Sequence, residues 1–190
     1  MRKESEGVTE TLLESAEREF LKYGFRDASL RRISSESGVS TNSIYTRFKD
    51  KEGLFEALVK PAADGLMNIY MNSVQAASGV SAVSDAINYG NQGTDEVLEY
   101  IYSNFNAFKL IFCHSAGTKY EDYFDRLAEI EESYYRKFAI QFAVDKTVDD
   151  MFIHVICRTG WQYVYEIVSH ELEFDKAKSF MDDIRKYSFA

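Results

Sequence analysis

Residues 37–55, SGVSTNSIYTRFKDKEGLF, decide the fold of the N-terminal third of this chain. Gly38 is comfortable at positive φ, and the tight turn between two steeply crossing helices needs such a residue. Ser40 can cap the next helix, which we predict over 41–48. Apolar residues at helical spacing can pin that helix to a core: Val39, Ile44 and Phe48. The stretch therefore predicts a helix-turn-helix.

The other side chains of the predicted second helix have nothing apolar to bury, so they can face outward. They are Thr41, Asn42, Ser43, Tyr45, Thr46 and Arg47. Hydroxyl, amide and guanidinium groups suit the base edges and phosphates of duplex DNA. The backbone N–H groups at the start of the helix also suit a phosphate. This face therefore indicates a nucleic-acid-binding surface.

Charge is distributed unevenly along the chain. The 190 residues carry a net charge of −9, which by itself disfavours a nucleic-acid partner. Residues 22–51, however, hold seven Lys and Arg against three Asp and Glu, a net charge of +4. A local basic patch is what phosphate binding requires, whatever the total charge. A solvated helix surface would explain the same charges equally well.

Residues that break regular structure are scarce. The chain has one Pro and ten Gly, which favours helices, because strand-rich chains need many turn residues. Apolar periodicity predicts a first helix that ends at Gly24, a second that follows the N-cap Ser29, and a fourth that follows Asp50 and is kinked at Pro61. Residues 78–94 contain several glycines and are predicted to be largely a loop. The predicted fold is all-α.

Five further helices are predicted over 95–104, 105–114, 118–142, 148–170 and 174–187. A capping box formed by Thr118 and Glu121 is predicted to open the helix that ends near residue 142. The helix over 148–170 is apolar nearly all round, which indicates burial on more than one side. A chain of this size has little room to surround such a helix. We therefore predict that the last two helices pair with those of a second copy in a four-helix interface. Two core helices of a monomer are the alternative.

Aromatic side chains are dense between residues 100 and 165. Core packing explains any one of them, but together they could line an apolar cavity with a polar rim. The predicted lining residues are Phe105, Phe108, Phe112, His114, Tyr123, Phe152, Arg158, Trp161 and Tyr165.

No signature of catalysis, metal binding or membrane insertion is found in the sequence. His154 and Cys157 could offer two metal ligands, but no further ligands cluster near them, so we predict neither a metal nor another cofactor. Nucleotide-binding and hydrolase motifs are missing, and no apolar run reaches the length of a membrane span. Cys113 and Cys157 lie in apolar patterns typical of reduced thiols in a cytoplasmic protein.

Residues 8–59 resemble the N-terminal domain of TetR-family transcriptional regulators. The anchors of the resemblance are Ala16, Phe20, Gly24-Phe25, Ser29-Leu30, Ile33, Gly38-Val39-Ser40, Ile44-Tyr45, Phe48, Lys51-Glu52 and Leu54. Ser34 departs mildly from the family, which usually has Ala there. The resemblance implies a helix-turn-helix DNA-binding domain over 1–50 and a helical ligand-binding and dimerisation domain over 51–190.

The resemblance also implies which residues contact DNA: Ser29, Thr41, Asn42, Tyr45, Thr46, Arg47 and Lys51. Tyr45 and Lys51 would contact phosphates, whereas Asn42, Thr46 and Arg47 would reach base edges or flanking phosphates. We accordingly predict a cytoplasmic, non-enzymatic homodimer that represses from a double-stranded operator and is released by a small apolar or amphipathic effector. A helical adaptor that docks another protein through the same surface is the alternative.

Overall fold

The computed structural model describes residues 2–78, 81–142 and 148–187. Within these ranges the backbone forms nine α-helices and no β-strand, which confirms the predicted all-α class. The helices are α1 Arg2–Asp27, α2 Leu30–Ser37, α3 Thr41–Phe48, α4 Lys51–Ser78, α5 Val83–Ser103, α6 Phe105–His114, α7 Tyr123–Phe142, α8 Asp150–Ser169 and α9 Phe174–Tyr187.

The chain is divided into two compact units. The first comprises the described residues up to Ala63 together with Asn106–Glu121. The second comprises Asp64–Phe105 and the described residues from Asp122 onward. The helix α4 therefore contributes residues to both units, and nearly all of α6 belongs to the first. These units are defined by packing, and the functional boundary between residues 50 and 51 stays a prediction.

Aromatic rings from α1 and α4 form the centre of the first unit. Phe20, Phe25 and Phe55 pack against one another with ring centroids 5.1 to 6.1 Å apart. Gly24 interrupts the helical backbone of α1 with φ of 70°, a value that glycine adopts at little cost. The helix then continues to Asp27, beyond its predicted end. The other fully buried apolar residues of this unit include Leu12, Ala16, Ile33, Ile44 and Leu54.

The predicted loop over 78–94 is wrong from Val83 onward, because α5 begins there. Gly93 is buried inside α5, and a Cβ on it would stand 2.9 Å from the Cβ of Ser73 on α4. The glycine thus allows α4 and α5 to approach closely. In the sequence Gly93 was taken as a helix breaker, whereas in the structure it allows two helices to pack closely. This difference explains why a loop was predicted.

The predicted capping box at Thr118 is also wrong, since α7 begins only at Tyr123. The Thr118 hydroxyl donates to the carbonyl of Ser115 at 2.8 Å, so it belongs to a turn. The Glu121 carboxylate accepts from the backbone N–H of Gly117 at 2.7 Å and does not reach back to residue 118. The two side chains stabilise a turn that precedes the helix by several residues.

The helices α8 and α9 begin close to their predicted positions. Asp149 caps α8 by accepting from two backbone N–H groups in its first turn. The buried side of α8 carries Ile153, Cys157, Trp161, Val164, Ile167 and Val168. Ile167 packs in a cluster with Leu98 of α5 and with Ala177 and Met181 of α9. This cluster connects α5, α8 and α9 within the second unit.

Candidate nucleic-acid interface

A buried carboxylate on α1 fixes the position of α2. Glu19 accepts hydrogen bonds from the backbone N–H of Ser29 and from Nε of Arg32, each at 2.8 Å. The Arg32 guanidinium also donates to the carbonyl of Asp27 and lies 4.3 Å from the ring centroid of Tyr23. Separating the two helices would leave a buried carboxylate unpaired, which is costly. Arg32 is therefore engaged in the fold and does not point freely at a ligand.

Serine side chains build the turn between α2 and α3. Ser37 Oγ donates to a carbonyl one turn back in α2 at 2.7 Å and accepts from the N–H of Val39 at 3.2 Å. Gly38 has φ of 68° and ends α2 in the left-handed conformation, as predicted. Ser40 caps α3 by accepting from the N–H of Ser43 at 3.2 Å. The predicted turn and both of its flanking helix ends are confirmed.

The helix α3 has a buried face and an exposed face. Ile44 is fully buried, whereas Tyr45 is 53% exposed. The remaining exposed side chains of the helix are Asn42, Thr46 and Arg47, and Thr41 and Ser43 are partly exposed. Thr46 and Arg47 donate to carbonyls one turn back in α3 itself, at 2.9 and 3.5 Å. Both side chains stay on the outer surface, where hydrogen bonds to a duplex could replace these local bonds.

Two of the predicted DNA contacts take part in the fold. Ser29 caps α2, its Oγ accepting from a backbone N–H in the first turn at 3.5 Å. The Lys51 ammonium donates to the carbonyls of Arg26 at 3.0 Å and Ala28 at 3.2 Å, and it lies 4.6 Å from the ring centroid of Phe25. Lys51 thus connects the start of α4 to the end of α1 and to the segment that follows it. Its role as a phosphate contact stays a prediction.

Two other basic residues on this surface were missing from the predicted contacts. Arg31 on α2 and Lys49 at the end of α3 are exposed, and neither side chain has a hydrogen-bond or salt-bridge partner in the part of the chain that the structure describes. Lys49 has φ of 73°, and its N–H bonds the carbonyl of Tyr45 at 2.9 Å. Both residues belong to the basic stretch 22–51, so the sequence marked them as part of a positively charged patch. Only the structure shows that their side chains are available for binding, whereas those of Arg32 and Lys51 are engaged in the fold.

The residues predicted to line an effector cavity are divided between the two compact units. Phe108, Phe112 and His114 lie on α6 in the first unit, where Phe108 is fully buried with its ring centroid 5.9 Å from that of Phe112. Burial lowers the pKa of His114, and the charge of Lys109 acts in the same direction. The other six belong to the second unit: Phe105, Tyr123, Phe152, Arg158, Trp161 and Tyr165.

Within the second unit these six residues fall into separate groups. Arg158 pairs with an aspartate of α7 and lies over the ring of Phe124, which packs edge-on against Tyr165. Trp161 is buried and packs edge-on against Tyr70 of α4. Of the remaining three, Phe105 packs on Tyr102, Tyr123 is buried and Phe152 is exposed. A single cavity lined by all nine residues stays a prediction.

Other kinds of site were sought in the same residues. Among the residues placed by the structure, no three His, Cys, Asp or Glu side chains stand close enough to share a metal ion. No described helix combines the length and the hydropathy needed to cross a bilayer. Cys113 and Cys157 are free thiols; Cys157 is buried, whereas Cys113 is partly exposed.

Comparison with known proteins identifies the class of the N-terminal helices. Residues 12–58 match the family of bacterial regulatory proteins called tetR. The matched region contains the helix-turn-helix. A repressor described as HTH-type, Rv1474c of Mycobacterium tuberculosis, is 39% identical over 49 residues, which are 26% of each chain. The HTH-type repressor AcnR of Corynebacterium glutamicum is 40% identical over 52 residues, 27% of this chain and 28% of AcnR. The matched region thus spans about a quarter of these curated relatives.

Solved structures resemble the chain over most of its length. A TetR-family regulator from Syntrophomonas wolfei superposes with a TM-score of 0.62 at 15% identity, covering 96% of this chain and 94% of the other. The regulator PfmR of Thermus thermophilus gives a TM-score of 0.60 at 18% identity, covering 90% and 94%. At such low identity the likeness establishes the shared fold alone.

Proposed function

We propose that the protein is a DNA-binding transcriptional regulator that acts as a repressor. The observation that carries the proposal is the outer face of α3, where polar, aromatic and cationic side chains project from a helix whose opposite face is buried. A capped helix presented in this way fits the major groove of B-DNA. The match over residues 12–58 and the relatives described as repressors support the same role. The protein would bind without catalysis and work in the cytoplasm, where bacterial DNA lies.

A homodimer is proposed because α8 exposes apolar residues on one side. The exposed residues are Met151, Phe152, Val155 and Ile156. A continuous exposed apolar patch marks an interaction surface. A second copy of the chain would cover this patch through α8 and α9, and the two α3 helices would then face a site with two-fold symmetry.

The proposed effector is a small apolar or amphipathic molecule bound among the aromatic residues of the second unit. Its binding would favour a dimer in which the two α3 helices no longer match successive major grooves, so DNA would be released. The helix α4 is suited to carry this change, because one continuous helix contributes residues to both compact units.

Fluorescence anisotropy with a labelled duplex across a salt series tests the DNA-binding proposal. The logarithm of the association constant should fall linearly with the logarithm of the salt concentration, because phosphate contacts release counterions from the DNA. Tyr45→Ala should weaken binding about tenfold through loss of a hydrogen bond to a charged phosphate, with little change in thermal stability. The matched control is Tyr89→Ala on α5, which removes another exposed tyrosine and should bind like the parent.

An adaptor that docks a protein partner predicts a different result. It would bind duplex DNA weakly or not at all at low salt, and Tyr45→Ala would leave any residual binding unchanged. Either result would overturn the proposed DNA-binding function.

A further inference from the structure

A buried carboxylate and a half-exposed guanidinium form an ion pair at the start of α2. The Glu19 side chain is 5% exposed, the Arg32 side chain is 49% exposed, and the two groups approach to 2.5 Å. Glu19 also accepts from the backbone N–H of Ser29, the N-cap of α2. The carboxylate therefore occupies the N-terminal end of this helix, where a backbone N–H group and a cation would otherwise suit a phosphate.

Arg32 lies in the segment that is predicted to contact DNA. It is in the first turn of α2, three residues after the predicted contact Ser29 and next to the exposed Arg31. Its guanidinium donates to the carbonyl of Asp27 at 2.8 Å and lies over the Tyr23 ring. The guanidinium is thus held beside the connection between α1 and α2, with half of the side chain open to solvent.

The ion pair should persist when a duplex is near. Among the salt bridges of the described residues, Glu19 takes part in this one alone. Moving Arg32 onto a phosphate would leave the buried carboxylate without a cation, which is strongly unfavourable. A solvent-exposed phosphate contact gains less, because water and salt screen it. Arg32 should therefore stay with Glu19.

We infer that Glu19 is a positioning residue that withholds Arg32 from DNA phosphates and thereby limits the sequence-independent part of the affinity for DNA. The inference rests on the proposed DNA-binding function. A released arginine at the start of α2 would neutralise one more phosphate of any duplex, whatever its sequence. An effector typically changes affinity by about 5- to 150-fold, so an additional phosphate contact would make release from DNA harder.

Fluorescence anisotropy of the full chain with a labelled duplex of random sequence tests this role. Glu19→Gln keeps an oxygen that can accept from the N–H of Ser29, but it removes the charge that holds Arg32. The variant should bind the duplex about tenfold more tightly at low salt, because the released guanidinium can bond a phosphate. Its salt slope of log K should be steeper than that of the parent by about one.

Two further variants separate this effect from a change in stability or net charge. In the double variant Glu19→Gln/Arg32→Gln the released arginine is gone, so affinity and salt slope should return to the values of the parent. Glu36→Gln is the matched control, since Glu36 pairs with Arg18 at 2.7 Å between the same two helices and both side chains are exposed. It changes the net charge as Glu19→Gln does, and it should leave the slope unchanged.

A merely structural role for Glu19 predicts a different result. Glu19→Gln would then bind the duplex with the slope of the parent or more weakly, and either result would overturn the inference. An equal rise in slope for Glu36→Gln would also overturn it, because net charge alone would explain the effect. If circular dichroism melting shows that Glu19→Gln does not fold, the double variant decides. A slope equal to that of the parent supports the inference, whereas a slope lower by about one shows that Arg32 already contacts DNA in the parent.

The parent protein distinguishes failure of this inference from failure of the proposed function. A parent that binds no duplex at low salt would contradict the DNA-binding function itself. A parent that binds duplex in a salt-dependent way, together with an unaltered slope for Glu19→Gln, would contradict only the role assigned to Glu19.

Discussion

Lys49 and Lys51 stand two residues apart and have different surroundings. The Lys51 ammonium bonds two backbone carbonyls and lies over the Phe25 ring, whereas the Lys49 side chain is exposed at the end of α3. Replacing Lys51 would therefore loosen the fold as well as remove a positive charge, so its effect on DNA binding would mix two causes. Lys49 offers a cleaner measure of a phosphate contact.

Lys49 has φ of 73°, in the left-handed region where a side chain is strained. We expect Lys49→Gly to raise the free energy of unfolding by about 1 kcal/mol, because glycine relieves that strain. Lys49→Ala keeps the strain and should leave stability nearly unchanged. Both variants should lower the salt slope of log K for duplex binding by about one. Equal melting temperatures of the two variants would show that the backbone at Lys49 is not strained. An unchanged salt slope would show that Lys49 does not contact a phosphate.

Glu131 should make the stability of the protein depend on pH. The folded carboxyl has a pKa of about 7 against an ordinary value of 4.5, so the folded state binds the proton more tightly than the unfolded state. Its contribution is therefore fully present below pH 4.5 and is lost as the pH rises through 7. Relative to Glu131→Gln, the parent should lose about 3 kcal/mol across this window. Urea unfolding at several pH values measures the difference, and parallel pH profiles for the two proteins would refute it.

Among the helices, α2 and α3 could be located from the sequence because residues next to their ends cap them. A cap acts within one turn, so Ser29, Gly38 and Ser40 could be read as the ends of α2 and α3 from the sequence. Gly93 could not be read in this way, since its role depends on Ser73, twenty residues away on another helix. The turn over 115–122 was misread for a different reason, because each side chain had several possible partners nearby: Thr118 donates to the carbonyl of Ser115, and Glu121 accepts from the N–H of Gly117.

Two glycines of α5 should respond in opposite directions to the same substitution. Gly93→Ala would bring a Cβ to 2.9 Å from that of Ser73, and we expect it to destabilise the protein by about 1–3 kcal/mol. Gly90→Ala meets nothing within 4 Å and should stabilise the helix by about 1 kcal/mol. Thermal unfolding of the pair checks both signs. Stabilisation by Gly93→Ala would show that α4 and α5 are not in close contact.

At the scale of the whole molecule, the sequence predicted the class of fold and the surface of α3, because periodicity and caps are local properties. The contacts among the aromatic residues of the second unit were less accessible, because they depend on which residues from distant helices meet. Tyr70 of α4 packs edge-on against Trp161 of α8, and this contact was not predicted. A contact between two residues so far apart in the chain has no pattern in the sequence.

The proposed dimer depends on an apolar surface that is exposed in the single chain. Val155 on α8 is 52% exposed, and we expect Val155→Asp to dissociate the dimer by placing a charge in a buried interface. Ile87→Asp is the matched control, since Ile87 on α5 is 48% exposed and lies outside the proposed interface. Sedimentation velocity distinguishes the species. A parent that sediments as a monomer, or a Val155→Asp variant that remains a dimer, would contradict the interface.

Selection of bound duplexes from a random-sequence pool tests the proposed dimeric regulator, because specific binding then requires α3 to contact bases and two copies to bind together. We expect recovered sequences with two inverted half-sites whose centres are about one helical turn apart or a multiple of it. Recovered sequences without a common motif, or with a single half-site, would contradict it.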